Sequence, residues 1–382
     1  MELTNSDIAE LTDLRHRLHR HPEISGQERQ TAQRVRAALD GLRPDQMACE
    51  LGGHGLAACF DGREAGPTVM FRCELDALPI AQISDAPYCS KVPETAHLCG
   101  HDGHMAILTG LARRLSRQRP ARGRVILLFQ PAEETGAGAN AVLADPKFAG
   151  LAPDYAFALH NLPGVALGAA ALKPGPVCCA SRGLDIRLTG TPAHASQPET
   201  GRSPMSAISQ LMPALDALSR GRTRDPDFAL VTVTHANMGA PAFGIAPGAA
   251  TVFATLRTLT DDGMAALCDA ALSRVGQIAR DHGLEAAHQY HDVFHHCDNH
   301  PEATGMFRAA LEELGIRHDD GPLPWRPSED FGRFGDTARA AMLFLGSGTD
   351  QPPLHNPHYD FPDDLIPIGV RVFERVARNL LG

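Results

Sequence analysis

The stretch RVILLFQPAEE (residues 124–134) joins an apolar segment directly to two adjacent glutamates. An uninterrupted apolar core such as VILLF is typical of a β-strand buried on both faces. Residues 103–118, GHMAILTGLARRLSRQ, have the spacing of an amphipathic helix. Three more strands are predicted at LAACF (56–60), TVMFRCEL (68–75) and DYAFALH (154–160). Strands that alternate with helices predict an α/β fold with a sheet covered on both faces.

Beyond residue 176 the pattern changes to a strand with apolar residues at every second position, Leu184, Ile186 and Leu188. This strand begins a β-α-β-β-α pattern, after which the α/β pattern returns at PEATGMFRAALEELG (301–315). We therefore predict a discontinuous main domain, interrupted by a smaller α+β domain. The predicted boundaries are 1–179 and 293–382 for the main domain and 180–292 for the inserted one.

Composition excludes several classes of partner. The 382 residues carry a formal net charge of -10, which disfavours nucleic acid and anionic membranes because both require a basic face. No apolar run reaches the length of a membrane helix, and the charged N-terminal stretch does not resemble a signal peptide. Nine scattered cysteines favour reduced thiols over a disulfide framework. We therefore expect a cytoplasmic protein.

Several potential metal ligands share a position just after a predicted apolar strand. Ligands collect at the carboxyl ends of strands in open α/β sheets, so these side chains could converge despite their separation in sequence. Cysteine, histidine and carboxylate suit zinc and related divalent ions. The candidates are Cys99, His101, Glu133, Glu134, His160 and His355. Each of these residues alone has an ordinary structural explanation, and only their shared placement favours a metal site.

The adjacent glutamates fit hydrolytic chemistry because such a site needs ligands for the ion and a separate base for the attacking water. We favour Glu134 as ligand and Glu133 as base, although spacing alone leaves their order open. A denser histidine cluster, HQYHDVFHHCDNH (288–300), has no carboxylate pair and no glycine-shaped helix entry. We interpret it as a linker strand with solvent-facing histidines.

Five motifs stand out along the chain: CGHDGH (99–104), QPAEE (130–134), ALHNLPG (158–164), SEDF (328–331) and LHNPHYDF (354–361). In their order and spacing they resemble the metal-dependent amidohydrolase family, which includes aminoacylases, hippurate hydrolases and auxin-conjugate hydrolases. LRHRLHRHPEISGQE (14–28) and FRCELDALPI (71–80) extend the resemblance towards the N-terminus, so that it covers essentially the whole chain.

The resemblance implies a discontinuous α/β catalytic domain that binds two divalent ions per subunit (zinc, manganese or cobalt). It also implies an inserted α+β satellite domain that forms a homodimer, with a tetramer as the alternative. By the same resemblance Glu133 is the general base for a metal-activated water, and Asp76 lies near the metals. The implied metal ligands are Cys99, His101, Glu134, His160 and His355.

For the satellite domain, the resemblance implies that His194 binds substrate and stabilises the oxyanion, often across the dimer. Arg257 is a candidate for the substrate carboxylate. Four positions depart from the family pattern: Cys73 and Glu74 replace an Ala-Asp pair, Gln197 replaces a histidine, and Gly244 replaces an asparagine near the substrate's polar end. These departures leave the substrate open, whereas the metal chemistry is retained.

The expected reaction is hydrolysis of the amide bond of an N-acyl amino acid or a related small amide. A dipeptidase or aminopeptidase is the alternative enzyme, distinguished by its need for a free α-amine in the substrate. A non-catalytic metal-binding or ligand-sensing protein is the third interpretation, disfavoured because every ligand position is filled.

Overall fold

The computed structural model describes residues 3–382. These residues form eight α-helices: α1 (Asn5–Arg20), α2 (Arg29–Leu39), α3 (His101–Arg117), α4 (Gly138–Ala144), α5 (Met205–Asp216), α6 (Asp261–Asp281), α7 (Pro301–Glu313) and α8 (Leu365–Leu381). Short 3-10 helices lie at Pro146–Leu151, Pro198–Thr200 and Asp330–Asp336. None of the helices within residues 3–382 is both long enough and apolar enough to cross a membrane.

The strands of the first half are β1 (Gln46–Leu51), β2 (Gly55–Asp61), β3 (Glu64–Glu74), β4 (Arg122–Gln130), β5 (Tyr155–Pro163), β6 (Ala170–Ala171), β7 (Gly175–Cys178) and β8 (Ala180–Thr189). Those of the second half are β9 (Ala193–His194), β10 (Ala229–Met238), β11 (Ile245–Ala246), β12 (Ala249–Thr258), β13 (Glu285–Phe294), β14 (Cys297–Asn299), β15 (His318–Asp319) and β16 (Arg339–Gly348). The predicted α/β class is confirmed.

The chain divides into two compact units. Unit 1 contains residues 1–177, 297–323 and 329–382, and unit 2 contains residues 178–296 and 324–328. The predicted domain boundaries differ from these by a few residues. The predicted inserted domain, residues 180–292, does not include the short segment 324–328, which lies in unit 2. This segment belongs to unit 2 because Pro327 accepts a hydrogen bond from the Cys179 amide (3.3 Å) and Ser328 accepts one from Arg257 (2.9 Å). Such contacts depend on tertiary structure and leave no local pattern in the sequence.

Unit 1 is built on an eight-stranded sheet of order β1-β2-β4-β3-β5-β16-β6-β15. Its central strands β4, β3, β5 and β16 run parallel. Residues 125–130 of β4 are all buried, and since successive side chains point to opposite faces, the sheet is covered on both sides as predicted. Helix α3 packs against β3, α1 and α8.

The register of the parallel strands decides which residues share an edge. Glu74 at the end of β3 lies beside Gln130 at the end of β4. His160, late in β5, lies beside Phe344 of β16. The loops that carry the predicted ligands therefore leave neighbouring strands at the carboxyl edge of the sheet, where ligand sites of α/β folds form.

Unit 2 is built on a four-stranded antiparallel sheet of order β10-β12-β8-β13, packed against α5 and α6. Along β12, buried residues alternate with more exposed ones, as expected for a sheet with one solvent face. Residues 288–300 were interpreted as a linker strand, and residues 285–294 do form a strand, but β13 pairs with β8 from Glu285–Thr189 to Phe294–Ser181 and is therefore part of the sheet. Its histidines His288 and His291 are exposed, as predicted. The polar residues on both faces of this edge strand conceal the usual alternation.

Candidate metal centre

The loop that enters α3 places Cys99 and His101 on either side of Gly100. Gly100 has a φ of 91°, a left-handed conformation that glycine adopts readily, and a Cβ at this position would collide with the side chain of Asn161. Helix α3 then begins at His101. Because it lacks a side chain, Gly100 allows the loop that carries Cys99 and His101 to approach Asn161 of β5 closely.

Backbone carbonyls fix the ring orientation of two histidines in this cluster. His101 Nδ1 donates to the Asp76 carbonyl (2.8 Å), and His160 Nδ1 donates to the Asn161 carbonyl (2.8 Å). Because a carbonyl oxygen only accepts, the Nε2 atom of each neutral imidazole carries the lone pair. His160 Nε2 lies 3.5 Å from Cys99 Sγ. Both rings are therefore oriented as metal ligands are in proteins.

The two glutamates of QPAEE face the same nitrogen. His101 Nε2 lies 3.8 Å from Glu133 Oε2 and 3.8 Å from Glu134 Oε1. The other Glu134 oxygen lies 3.5 Å from His355 Nε2. Three of the five groups of possible ligands found within residues 3–382 consist entirely of the predicted residues: Cys99 with His101 and His160, Cys99 with Glu134 and His355, and His101 with Glu133 and Glu134.

His355 reaches the cluster from a loop near the C-terminus. It is one of the few non-glycine residues with positive φ (65°), and its amide donates to the Leu98 carbonyl (2.9 Å). Its side chain is about half exposed (48%), whereas Glu134 is largely buried (12%). The cluster therefore has one ligand candidate at the solvent side and the others beneath it.

Asp76 ties the two ligand loops together. Its Oδ2 accepts hydrogen bonds from Ser25 Oγ (2.6 Å) and from the Glu134 amide (2.9 Å). Its Oδ1 lies 3.7 Å from His101 Nδ1. Asp76 thus orients a histidine and a glutamate that face the cluster.

The donor set fits a divalent cation. His101 Nε2 and Glu134 Oε1 are buried without a hydrogen-bond partner among residues 3–382. Buried polar atoms are normally satisfied, and a cation between these two would satisfy both. Thiolate, imidazole and carboxylate together are the ligands that zinc and its neighbours accept.

The acidic groups of the cluster give a second reason to expect a bound divalent cation. Burial, followed by the charges of Glu329 and Glu134, raises the pKa of Glu133 well above its ordinary value. Burial also raises the pKa of Glu134 to about 7 and that of the Cys99 thiol well above its usual range. A bound cation would compensate this accumulation of acidic groups.

Arg72 and its acidic partners form the buried layer next to the cluster, which sequence reasoning missed. The guanidinium pairs with Glu74 and lies 2.9 Å from Glu329 Oε1 and 2.6 Å from Asp330 Oδ1. Its Nε donates to Gln130 Oε1 (2.9 Å). An arginine inside an apolar strand, as in TVMFRCEL, was the available signal, because a buried charge requires partners.

His104 connects this layer to β5. One ring nitrogen lies 2.6 Å from Glu74 Oε2 and the other 2.6 Å from Asn161 Oδ1. Asn161 in turn donates to the Tyr359 hydroxyl (2.6 Å). Glu74, which departs from the family pattern, therefore keeps a defined buried partner on each side.

The remaining predicted site residues belong to unit 2. His194 is exposed and pairs with Ile245 through β9 and β11, and the Ala195 amide donates to the Gly244 carbonyl (3.0 Å). Gly244 is thus a close neighbour of His194. Gln197 donates its backbone amide to the His194 carbonyl (2.8 Å).

Arg257 has protein partners of its own. Its Nη1 donates to Ser328 Oγ (2.9 Å) and to the Arg326 carbonyl (3.3 Å). Burial lowers its pKa. The side chain therefore holds segment 324–328 in place, which is a structural use that the sequence did not indicate.

In the histidine-rich stretch, His295 Nδ1 and the His296 amide bind the two oxygens of Asp261 at 2.8 and 3.0 Å. Every group of three or more potential ligands found within residues 3–382 lies in unit 1.

Known proteins resemble this chain over most of its length. The sequence profile of peptidase family M20/M25/M40 matches residues 70–379. The chain is 30% identical over 362 residues to the N-acetyl-L-cysteine deacetylase of Bacillus subtilis, covering 94% of this chain and 85% of that protein. It is 30% identical over 375 residues to the hippurate hydrolase of Campylobacter jejuni, covering 97% of each.

Among solved structures, the YXEP protein of Bacillus subtilis, a dinuclear metal-binding peptidase from the M20 family, superposes with a TM-score of 0.83. The two chains are 25% identical, and the superposition covers 99% of each.

Proposed function

The chain belongs to peptidase family M20/M25/M40 and is a metal-dependent amidohydrolase, and from this premise we propose that it cleaves the amide bond of a small N-acyl amino acid. The resemblance inferred from the motifs is confirmed by the family match over residues 70–379. Two relatives that match over nearly the whole chain are named for removing acyl groups from amino acids. The proposed products are a carboxylate and a free amino acid.

One observation carries the proposal for the site: two glutamates and a histidine meet in one buried group. Glu133 and Glu134 each place an oxygen 3.8 Å from the free nitrogen of His101. The other oxygen of Glu134 lies 3.5 Å from His355 Nε2, so the Glu134 carboxylate faces two candidate ligands. This arrangement supports Glu134 as a ligand and Glu133 as the base.

Bound divalent ions would act as Lewis acids, which lower the pKa of water and polarise a carbonyl group. Cys99, His101, Glu134, His160 and His355 would hold them. Glu133 accepts the proton that the attacking water loses, and it delivers this proton to the leaving nitrogen as the carbon–nitrogen bond breaks.

His194 supplies a hydrogen-bond donor in this proposal. Its Nδ1 accepts a hydrogen bond from the Ser196 amide (3.1 Å), so the neutral ring carries its proton on Nε2. An Nε2–H group can donate to the oxyanion that develops during amide hydrolysis. Gly244, adjacent to His194, and Arg257 are proposed to contribute to substrate binding.

The cation is proposed to be zinc, manganese or cobalt, because the ligand set combines a thiol with imidazoles and carboxylates. We further propose a cytoplasmic homodimer, with a tetramer as the alternative. Exposed apolar side chains in unit 2 support association of two copies, since large exposed apolar residues mark interaction surfaces. These are Met205, Phe243, Ile245 and Phe253.

The substitution Glu133→Gln tests the proposal in protein reconstituted with zinc, manganese or cobalt. Release of amino acid is measured on N-acetyl and N-benzoyl amino acids and on dipeptides, and metal content is determined in parallel. We expect unchanged metal content and a loss of kcat of about 100- to 10,000-fold, the usual contribution of a general base.

The matched control is Glu313→Gln, which alters an exposed glutamate (46% exposed) paired with Arg375 and should leave kcat unchanged. Full turnover by the Glu133 variant would contradict the assignment of the base. Cleavage of dipeptides without cleavage of acyl amino acids would contradict the proposed substrate class.

A further inference from the structure

The turn that presents Glu133 has an unfavourable backbone conformation. Ala132, the residue immediately before it, has a φ of 51°. This left-handed region is disfavoured for residues with a Cβ, so surrounding contacts must hold Ala132 there. The carbonyl of Ala132 accepts from the Gly138 amide (3.0 Å), and that of Glu133 accepts from the Gly136 amide (2.7 Å). The amide of Ala132 requires a partner from elsewhere.

That partner is a buried carboxylate far away in sequence. Glu28 is completely buried, and its Oε1 accepts hydrogen bonds from the Ala132 amide (2.8 Å) and the Gly26 amide (2.7 Å). Glu28 also stands at the N-cap of α2, yet its side chain makes no capping hydrogen bond. The Glu28 carboxylate therefore binds the turn at Ala132 and its own loop at Gly26, and it does not cap α2.

The same N-terminal loop is also connected to Glu134, the residue after Glu133, through the carboxylate of Asp76. Ser25 Oγ donates to Asp76 Oδ2 (2.6 Å), and that oxygen also accepts the Glu134 amide (2.9 Å). Two amides of the turn, those of Ala132 and Glu134, are thus bound by carboxylates on either side of Glu133. The peptide that carries Glu133 is fixed at both ends.

We propose that Glu28 is a positioning residue, which orients Glu133 by holding Ala132 in its left-handed conformation. This inference rests on the proposed role of Glu133 as the base. Without the hydrogen bond, Ala132 relaxes towards negative φ, which rotates the following peptide and displaces the Glu133 carboxylate. Glu134 remains tied to Asp76, so metal binding persists.

The chemistry of the acceptor predicts how substitutions differ. Glu28→Ala removes the acceptor, and misplacement of a catalytic group by about 1 Å costs on the order of 100-fold in rate. Glu28→Gln keeps an oxygen at the Oε1 position and should retain kcat within about threefold. KM and the number of bound metal ions should stay unchanged in both variants.

A double-substitution cycle tests the conformational part of the inference. Glycine adopts a φ near 51° without the penalty that Ala132 carries, so Ala132→Gly reduces the need for the hydrogen bond. We expect Glu28→Ala to lower kcat about 100-fold in the unaltered chain and less than about 10-fold in the Ala132→Gly background. Equal losses in both backgrounds would overturn the inference.

Hydrogen exchange provides a measurement independent of turnover. The Ala132 amide should exchange faster in Glu28→Ala than in the parent, whereas Glu28→Gln should retain protection. The matched control is Glu23→Ala, because Glu23 lies in the same loop but its carboxylate binds the amide and hydroxyl of Thr31 (2.7 and 2.9 Å). This control should keep kcat within about threefold of the parent, since it leaves the turn intact.

An equal kcat loss in Glu23→Ala would attribute the effect to general destabilisation and overturn the inference, as would an unchanged exchange rate of the Ala132 amide in Glu28→Ala. If instead the parent enzyme shows no amide hydrolysis, the proposed function fails. In that case the exchange rate of Ala132 still decides whether Glu28 holds the turn.

Discussion

At the scale of the residue, Arg72 shows how a buried charge is accommodated beside the candidate metal centre. Its guanidinium has no solvent exposure and contacts Glu74, Glu329 and Asp330, all of which are buried as well. Buried ion pairs of this kind add little stability relative to apolar residues, but removal of one partner leaves the others uncompensated. Arg72 is therefore needed to compensate the charges of the three buried acids.

Replacement of Arg72 by methionine should destabilise unit 1 by about 3–5 kcal/mol, because three buried carboxylates lose their cation. Urea unfolding of the metal-free protein measures the effect without interference from metal binding. Arg375→Met is the control, since Arg375 makes an exposed pair with Glu313 at 3.4 Å, and exposed pairs contribute at most about 1 kcal/mol. Similar losses in the two variants would contradict this account of Arg72.

At the scale of the element, helix α1 is anchored at its N-terminus by one carboxylate. Thr4 and Asp7 form a capping box, in which each side chain binds the backbone amide of the other residue. Asp7 also receives hydrogen bonds from Arg117 (2.5 and 2.8 Å) of α3. A local cap and a contact between helices therefore depend on the same ionised group.

The stability contributed by Asp7 should disappear in acid. Hydrogen bonds from Arg117, opposed by burial, hold the pKa of Asp7 well below its ordinary value. A depressed pKa means that the contribution is complete above the unfolded pKa of about 3.9 and is lost as the pH falls below it. Asp7→Asn should therefore cost about 1–2 kcal/mol at pH 7 and progressively less below pH 4.

Chemical unfolding of both proteins between pH 2.5 and 7 measures this difference. Ser6→Ala provides the control, because Ser6 is an exposed neighbour whose hydroxyl donates to Glu10 (3.1 Å) on the same helix. A difference between Asp7→Asn and the parent that stays constant down to the lowest pH would disprove the ionic origin.

At the scale of the whole molecule, each of the two units has its own hydrophobic core, and the candidate metal ligands lie in unit 1. The core of unit 1 joins helices α1, α3 and α8 to the central sheet, and the core of unit 2 joins α5 and α6 to the antiparallel sheet. All candidate ligand groups within residues 3–382 belong to unit 1. A ligand that binds only folded protein stabilises the unit that holds it.

Removal of metal should consequently destabilise unit 1 and leave unit 2 unaffected. A chelator should lower the free energy of unfolding of unit 1 by about 4 kcal/mol if the metal is present at about 1,000 times its dissociation constant. Hydrogen exchange resolved by peptide distinguishes the units, with increased exchange expected around residues 97–104 and 130–134. A His101→Ala variant should show a smaller response to the chelator, and equal responses in the two units would contradict the prediction.

The sequence alone determined the α/β class, the positions of the main strands and helices, and the motifs that carry the chemistry. These features follow from local periodicity and from residue types at strand ends, so they can be read without knowledge of distant contacts. The helix predicted over residues 103–118, for example, corresponds to α3 (His101–Arg117). Edge strand β13 was predicted less well, because polar residues on both of its faces weaken the periodic signal.

Only the tertiary structure decided which residues meet. Strand order and register bring Cys99 within 3.5 Å of His160, surround Arg72 with acids from distant segments, and place Glu28 against Ala132. The left-handed conformation of Ala132 is likewise invisible in the sequence, since alanine ordinarily avoids it. The physical reason is the same in each case: these interactions join residues that lie far apart in the chain, and their energies depend on a geometry that exists only after the sheet has assembled.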